Sequence, residues 1–242
     1  MADHKLTILA LGAHADDLEI LCGGTLARWA EQGHRVVMAT TTWCQFGCYD
    51  RPLEECSKVR HAEAAHAAAV IGAEYKSLMF PDDHVNPFDD YQQRQVVEII
   101  RQTRPSLIVT HAPNDYHTDH TNVSELVKWT GPVLGIPQYQ TGSEALDYNP
   151  ALYFMDTLHG HGFEPTAYVD ITPSFDTKMA MVRCHESQIR YLKTYFGFDT
   201  LEEIEVIARY RGIQAGVRYA EAFRRHIGAG WGNLTEYLLP HS

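Results

Sequence analysis

The sequence predicts an α/β fold: a doubly wound, mostly parallel sheet, Rossmann-like, with helices on both faces. Two observations predict it. Strand-like and helix-like segments alternate four times in the first 130 residues of the 242-residue chain, which is the signature of βα units around a parallel sheet. Two of the strand candidates, Leu6 to Ala13 and Ser106 to Thr110, are nearly continuous apolar runs, as expected of strands covered on both faces.

The elements follow in order. Leu6 to Ala13 is the first strand. Gly23-Gly24 reads as a turn, with Thr25 or a neighbour capping a helix that runs to about Gln32 and stops at Gly33. Arg35 to Thr41, rich in β-branched residues, is the second strand. Pro52 to Ile71 is an Ala- and Glu-rich helix closed by Gly72. Ala73 to Met79 is a weaker strand ended by Pro81. Gln92 to Thr103 is a helix, because Val96, Val97, Ile99 and Ile100 fall on one face. Ser106 to Thr110 is the fourth strand, and His120 to Trp129 the helix after it. Gly131 to Pro150 reads as a long surface connection. Ala151 to Met155 and Thr166 to Ile171 read as strands, and Pro173 to Cys184 and Leu201 to Arg225 as mainly helical. The expectation is one domain over residues 1–242, with a Rossmann-like core at 1–130 and the remaining strands, helices and pocket loops at 131–242.

Composition narrows the function classes. Apolar residues make up 45% and charged residues 21%, as in ordinary globular domains. No apolar run approaches the roughly 20 residues of a membrane span, and no basic leader precedes the first strand, so a cytoplasmic protein without a membrane partner is expected. A net charge of −11 and the lack of a Lys/Arg cluster argue against a nucleic-acid partner. Five cysteines, Cys22, Cys44, Cys48, Cys56 and Cys184, form an odd set that reads as reduced thiols; Cys22 reads as packing.

The chemistry concentrates where a parallel sheet places it, outside the carboxyl ends of the strands. The first strand ends in Gly12-Ala13-His14-Ala15-Asp16-Asp17. The fourth leads into His111-Ala112-Pro113-Asn114-Asp115-Tyr116-His117-Thr118-Asp119-His120. Two histidines and a carboxylate are a common open ligand set for catalytic zinc. A spare carboxylate beside the metal can take a proton from water, and a spare histidine can stabilise an oxyanion and protonate an amine. Taken singly, an Asp-Asp after a strand is usually a cap or a turn, and a His-rich tract a weak surface site.

At these residues the chain resembles the LmbE-like, or PIG-L, zinc-dependent N-deacetylases, a family that includes the deacetylases of mycothiol and bacillithiol synthesis. His14-Ala15-Asp16-Asp17 through Gly23-Gly24 is similar to the family's His-Pro-Asp-Asp motif, and His117-Thr118-Asp119-His120 to its His-Pro-Asp-His motif. Arg60-His61-Ala62-Glu63-Ala64, Pro81-Asp82-Asp83 and the segment Gly216 to Phe223 extend the likeness. The resemblance implies zinc, or Fe²⁺ in its place, on His14, Asp17 and His120. It implies Asp16 as the base for metal-activated water, His117 as the electrophile and acid, and Asp119 as the carboxylate orienting an imidazole. The substrate would be a small amide, an N-acetylated amino sugar or conjugate, and the protein a homo-oligomer, hexamers occurring among its relatives. Ala15 and Thr118 replace the family's prolines, which loosens two turns without removing a ligand.

Arg60, Asp82, Asp83, Tyr116 and Arg51 are the candidate substrate contacts; Arg60, Asp82, Asp83 and Arg51, with His84, read equally well as part of a solvated loop or helix face, and Tyr116 is an aromatic placed beside His117 to stack on a sugar ring. His111 reads as a buried structural histidine or a lining residue. Trp43 and Phe46 read as pocket wall or core, and His159-Gly160-His161 as a loop near the pocket mouth. Two alternatives stand beside deacetylation. One is a zinc amidase acting on another small amide, such as a thiol-sugar conjugate. The other is a metal-binding protein without catalysis, against which the presence of Asp16 and His117 argues. No Gly-x-Gly-x-x-Gly follows the first strand, so dinucleotide binding has little support.

Overall fold

The computed structural model describes residues 5–232. One seven-stranded sheet runs through them in the order β3-β2-β1-β4-β5-β7-β6. β1 (Thr7–Gly12), β2 (Arg35–Thr42), β3 (Glu74–Phe80), β4 (Leu107–Thr110) and β5 (Ala151–Met155) are mutually parallel. β7 (Ala220–Arg225) runs antiparallel to β5 and to β6 (Ala167–Asp170). The chain starts in the middle of the sheet, moves outward to β3 and returns to β4 on the other side of β1. This reversal makes β1 and β4 neighbours, and their carboxyl ends open a crevice.

Side-chain alternation explains the apolar run of β1. Ile8 and Ala10 enter one core; Leu9 and Leu11 enter the other. The first core holds Leu18 and Trp29 of α1 (Asp17–Glu31), Ala67 of α2 (Leu53–Val70) and Met181 of α5 (Phe175–Arg183). The second holds Val96 and Ile100 of α3 (Asp90–Thr103) and Val123 and Leu126 of α4 (Thr118–Thr130). Helices therefore cover both faces, as the sequence predicts. α6 (Glu186–Phe196) and α7 (Thr200–Ala215) complete the described helices beyond single turns. Among the described residues, no helix is long and apolar enough to cross a membrane.

Three expectations need correction. First, α1 begins at Asp17, so Gly23-Gly24 lies inside it rather than before it. A Cβ on Gly24 would come within 2.8 Å of Ile171, so glycine is what allows this helix to press on the segment after β6. Buried side chains from other elements also meet the helix backbone there. Gly24 N and Thr25 N donate to the Glu221 carboxylate at 2.9 and 2.7 Å, and Lys178 Nζ donates to Ile20 O at 2.7 Å. Lys178 and Glu221 are themselves an ion pair at 2.5 Å, both buried. Removing one member of a buried pair leaves an uncompensated charge. Glu221→Gln or Lys178→Met is expected to cost about 3–5 kcal/mol, read as a lower urea midpoint. The double replacement with apolar residues should not restore it, because the α1 backbone groups lose their partners as well.

Second, the segment read as helical to Arg225 stops at Ala215, where Gly216 takes φ 73° as the left-handed cap, and residues 220–225 form β7. A buried Glu in the middle of Ala-Glu-Ala-Phe hides the strand pattern; that Glu is the one bound to α1. Third, Cys48 and Cys56 form a disulfide, leaving Cys22, Cys44 and Cys184 free. The odd count concealed one pair, which ties the loop after β2 to the first turn of α2.

Candidate metal and active site

Parallel pairing of Leu11 with Thr110 sets the ends of β1 and β4 side by side, so the two His/Asp motifs meet. Asp16 sits at the β1–α1 junction with φ 115° and ψ −27°, left-handed for a residue with a Cβ. Such a conformation costs on the order of 1–3 kcal/mol and persists only where neighbours dictate it. They do so here. Ala15 N donates to Cys44 Sγ at 3.2 Å, Arg60 Nη2 donates to Ala15 O at 2.6 Å, and Ile20 N donates to Asp16 O at 3.0 Å. The Ala15 contact gives the missing proline a consequence: a proline at 15 has no N–H to offer Cys44.

Asp17 is the hub. Its Oδ2 accepts from His14 N at 2.6 Å and Ala13 N at 3.1 Å, and lies 3.1 Å from His111 Nε2. Its Oδ1 lies 3.3 Å from His120 Nε2, and Oδ2 lies 3.5 Å from His14 Nδ1. Each of these two imidazoles is backed by a carboxylate on its other nitrogen. His14 Nε2 is 3.2 Å from Asp119 Oδ2, and His120 Nδ1 is 3.1 Å from Asp115 Oδ1. A carboxylate that holds one ring nitrogen fixes the tautomer and turns the other nitrogen toward a metal. The donor set therefore fits a divalent cation among His14, Asp17 and His120. Three groups of donor atoms lie close enough to share an ion, His14/His117/His120, Asp17/His111/His120 and Asp83/His117/Asp119; His14, Asp17 and His120 are spread over the first two rather than forming a group of their own.

The electrostatics agree with that fit. Burial works against charge on His14, but the Asp119 and Asp17 carboxylates outweigh it and hold this imidazole well above the ordinary range. His120 reaches about 9 against burial, through Asp17 and Asp115. Burial raises the Asp17 carboxyl, yet His120 and His111 pull it well below the usual carboxylate range. The pocket attracts positive charge. His111, driven down to about 4 by burial and by His120, stays neutral. Its ring stacks flat on His120 at 3.8 Å.

Asp16 differs from Asp17. Burial pushes its carboxyl up to about 6, against the opposing pull of Arg60, whose Nη2 is 3.1 Å from Oδ1. His117 caps α4, its Nδ1 accepting from Asp119 N at 3.2 Å. Burial lowers its basicity, and the nearby His14 and His120 lower it further.

Sequence reading also named neighbours, and the structure distributes them. Arg60 lines the cleft but is buried and spent on Asp16 and Ala15 O. Asp82 accepts from Cys44 N at 2.6 Å and Phe46 N at 2.9 Å, bracing the loop after β2. Asp83 N donates to Asp119 at 2.8 Å, and the Asp83 side chain faces the cleft. Tyr116, 63% exposed, stands edge-on to His117 and His120 at 5.9 and 5.6 Å. Arg51 instead pairs with Asp50 at 2.9 Å and is not among the cleft-lining residues. Phe46, His159 and His161 line the cleft; Cys22 is in the core. Sequence reasoning gave no role to Asp115, although it lies two residues before His117; its signal was the carboxylate-rich tract itself. The whole cluster opens onto a cleft of about 1040 Å³.

The family description GlcNAc-PI de-N-acetylase (PIG-L) matches residues 9–129, half of the chain. Diacetylchitobiose deacetylase of Thermococcus kodakarensis is 27% identical over 228 residues, covering 90% of this chain and 82% of that protein. The structure of N,N'-diacetylchitobiose deacetylase from Pyrococcus horikoshii matches with a TM-score of 0.79 at 22% identity, over 91% of this chain and 83% of that one. That of 4-carboxy-2-hydroxymuconate hydratase from Pseudomonas putida matches at 0.81 and 22% identity, over 97% and 100%. The matched stretch of sequence runs from β1 to α4 and carries both motifs, and on that ground the chain belongs to the GlcNAc-PI de-N-acetylase (PIG-L) family.

Proposed function

We propose that the protein is a metal-dependent hydrolase that removes the acetyl group from the nitrogen of an amino sugar or small N-acetylglucosaminyl conjugate. One observation carries the reading: two imidazoles, each held from behind by a carboxylate, turn their free nitrogens toward Asp17 beside a second carboxylate of raised pKa. His14, Asp17 and His120 would hold zinc or ferrous iron, since His and carboxylate ligands suit both. The bound metal supplies Lewis acidity, lowering the pKa of water to roughly 7 and polarising the amide carbonyl.

The chain's own groups divide the remaining work. Asp16, with a pKa of about 6, is ionised at neutral pH yet basic enough to accept the proton water loses as it adds to the amide carbon. The same proton then passes from Asp16 to the leaving nitrogen as the C–N bond breaks, giving acetate and the free amine. Arg60 holds the accepting carboxylate in place. His117 is kept neutral, and its Nδ1 is already occupied by the Asp119 N–H; its proton therefore sits on Nε2, as a donor to the oxyanion. Asp119 orients His14, and Asp115 orients His120.

Acetate release from N-acetylglucosamine and its conjugates tests the reading. Turnover is expected to vanish when a chelator removes the metal and to return with zinc or ferrous iron. Full activity in metal-free protein would overturn it. The likeness to a hydratase, including a 24% identical 4-oxalmesaconate hydratase of Pseudomonas putida, favours a second reading in which the activated water adds to a carbon–carbon double bond. Hydration of unsaturated dicarboxylates without acetate release would favour that reading.

A further inference from the structure

The cleft is far larger than an acetamido sugar needs, and its two sides differ. The metal and proton-transfer groups form one part of its lining. Another part comes from α6 and the turn into α7: Tyr191, Leu192 and Phe196 on the helix, Phe198 after it, and Ile204 on α7. Tyr191 and Phe196 are ring neighbours at 5.7 Å, and Phe196 is 58% exposed. Phe198 stacks on His159 at 5.6 Å, and His159 Nε2 is in turn bound to Glu203 at 2.8 Å. That pair is already satisfied; the other polar side chains lining this part are Gln188, Thr200, His161 and the hydroxyl-bearing Tyr191, and Gln188 Oε1 and Thr200 Oγ1 are buried without a hydrogen-bond partner among the described residues.

Charge sharpens the picture. Among the described residues, Arg60 is the single Arg or Lys lining the cleft, and it is buried against Asp16. The acidic lining residues are Asp16, Asp17, Asp82, Asp83 and Glu203. Away from the proposed metal, a phosphate or carboxylate on the substrate would meet no Lys or Arg other than the buried Arg60 among the described lining residues and several like charges, which is unfavourable. A second sugar would find Gln188 Oε1 and Thr200 Oγ1 for two of its hydroxyls and would turn the rest toward carbon, where polar groups buried without partners lose affinity. An alkyl or aryl group loses nothing and gains from burial on aromatic faces.

From this wall, and resting on the deacetylase reading above, we infer that the substrate's group beyond the amino sugar is uncharged and apolar, an alkyl or aryl aglycone seated against Tyr191, Phe196 and Phe198. Each methylene buried on binding contributes roughly three- to fourfold in affinity.

The test compares kcat/KM for deacetylation of methyl, octyl and 4-nitrophenyl β-N-acetylglucosaminides, diacetylchitobiose and N-acetylglucosamine 1-phosphate by the metal-loaded enzyme. The octyl and nitrophenyl compounds should exceed the methyl glycoside at least tenfold, mainly through KM, and the phosphate should be the poorest. In the Phe196→Ala/Phe198→Ala double variant the octyl-to-methyl ratio should fall toward one, while Phe196→Leu keeps most of it. Equal rates for methyl and octyl glycosides, or a preference for the disaccharide or the phosphate, overturn the inference and leave deacetylation intact. Should no glycoside release acetate, the deacetylase reading fails, and calorimetry still decides the wall: octyl β-glucosaminide binding no tighter than its methyl counterpart overturns the apolar subsite.

Discussion

Asp16→Asn is expected to lower kcat by about 10²–10⁴-fold, the usual worth of a positioned acid–base group, with metal content unchanged. The amide is nearly isosteric, so the Arg60 contact and the strained backbone are retained in outline, and KM should move little. The size of the effect follows from two duties resting on one carboxylate. It takes a proton at one stage and returns it at another. Asp17, the adjacent carboxyl, is held well below the ordinary range and is turned into the cluster. Zinc analysis alongside steady-state kinetics separates the outcomes. Wild-type kcat with full metal would remove Asp16 as the base; loss of metal together with rate would reassign it as a ligand.

His120→Ala should go further, leaving protein that binds no stoichiometric metal and shows no turnover above background. His120 is the ligand candidate supplied by α4, so its loss leaves His14 and Asp17 alone on the β1 side of the crevice. The change also strips the flat stacking partner of His111, so circular dichroism is needed to show that the sheet survives. Asp115→Asn gives the graded counterpart. It keeps the imidazole but removes the carboxylate behind it, and losses of such supporting groups typically weaken metal binding 10–100-fold. Unchanged zinc affinity in Asp115→Asn, measured by chelator competition, would show that His120 does not depend on that partner.

Much of this arrangement was legible before any coordinates. A parallel strand that is apolar on both faces leaves a plain mark, and β1 and β4 carry it; so the expectation that chemistry follows residues 13 and 110 needed only the alternation of elements. The two motifs then named His14, Asp16, Asp17, His117, Asp119 and His120 directly. What the sequence hid has a common cause: side chains whose partners are far away in the chain. Gly23-Gly24 reads as a turn because the groups that brace this stretch of helix, Ile171 and Glu221, lie far along the chain. β7 reads as helix because its central Glu is buried for the sake of α1. α6 was not recognised because Ser187 is its single buried residue; of its apolar side chains Ile189 reaches the core only in part, while Tyr191, Leu192 and Phe196 line the cleft. Arg60 and Asp82 look like substrate contacts by type, yet each is consumed by neighbouring backbone or carboxylate groups.

The helix that presents Asp17 is stitched together by a residue 196 positions downstream of Thr25. A ribosome therefore releases the catalytic motif long before it releases the group that finishes its scaffold. Until β7 has docked, Gly24 N and Thr25 N lack the Glu221 carboxylate, and Lys178, which donates to Ile20 O, lacks its counter-charge. Fragments ending before Ala220, however many of the proposed ligands they contain, are expected to bind no metal and to aggregate.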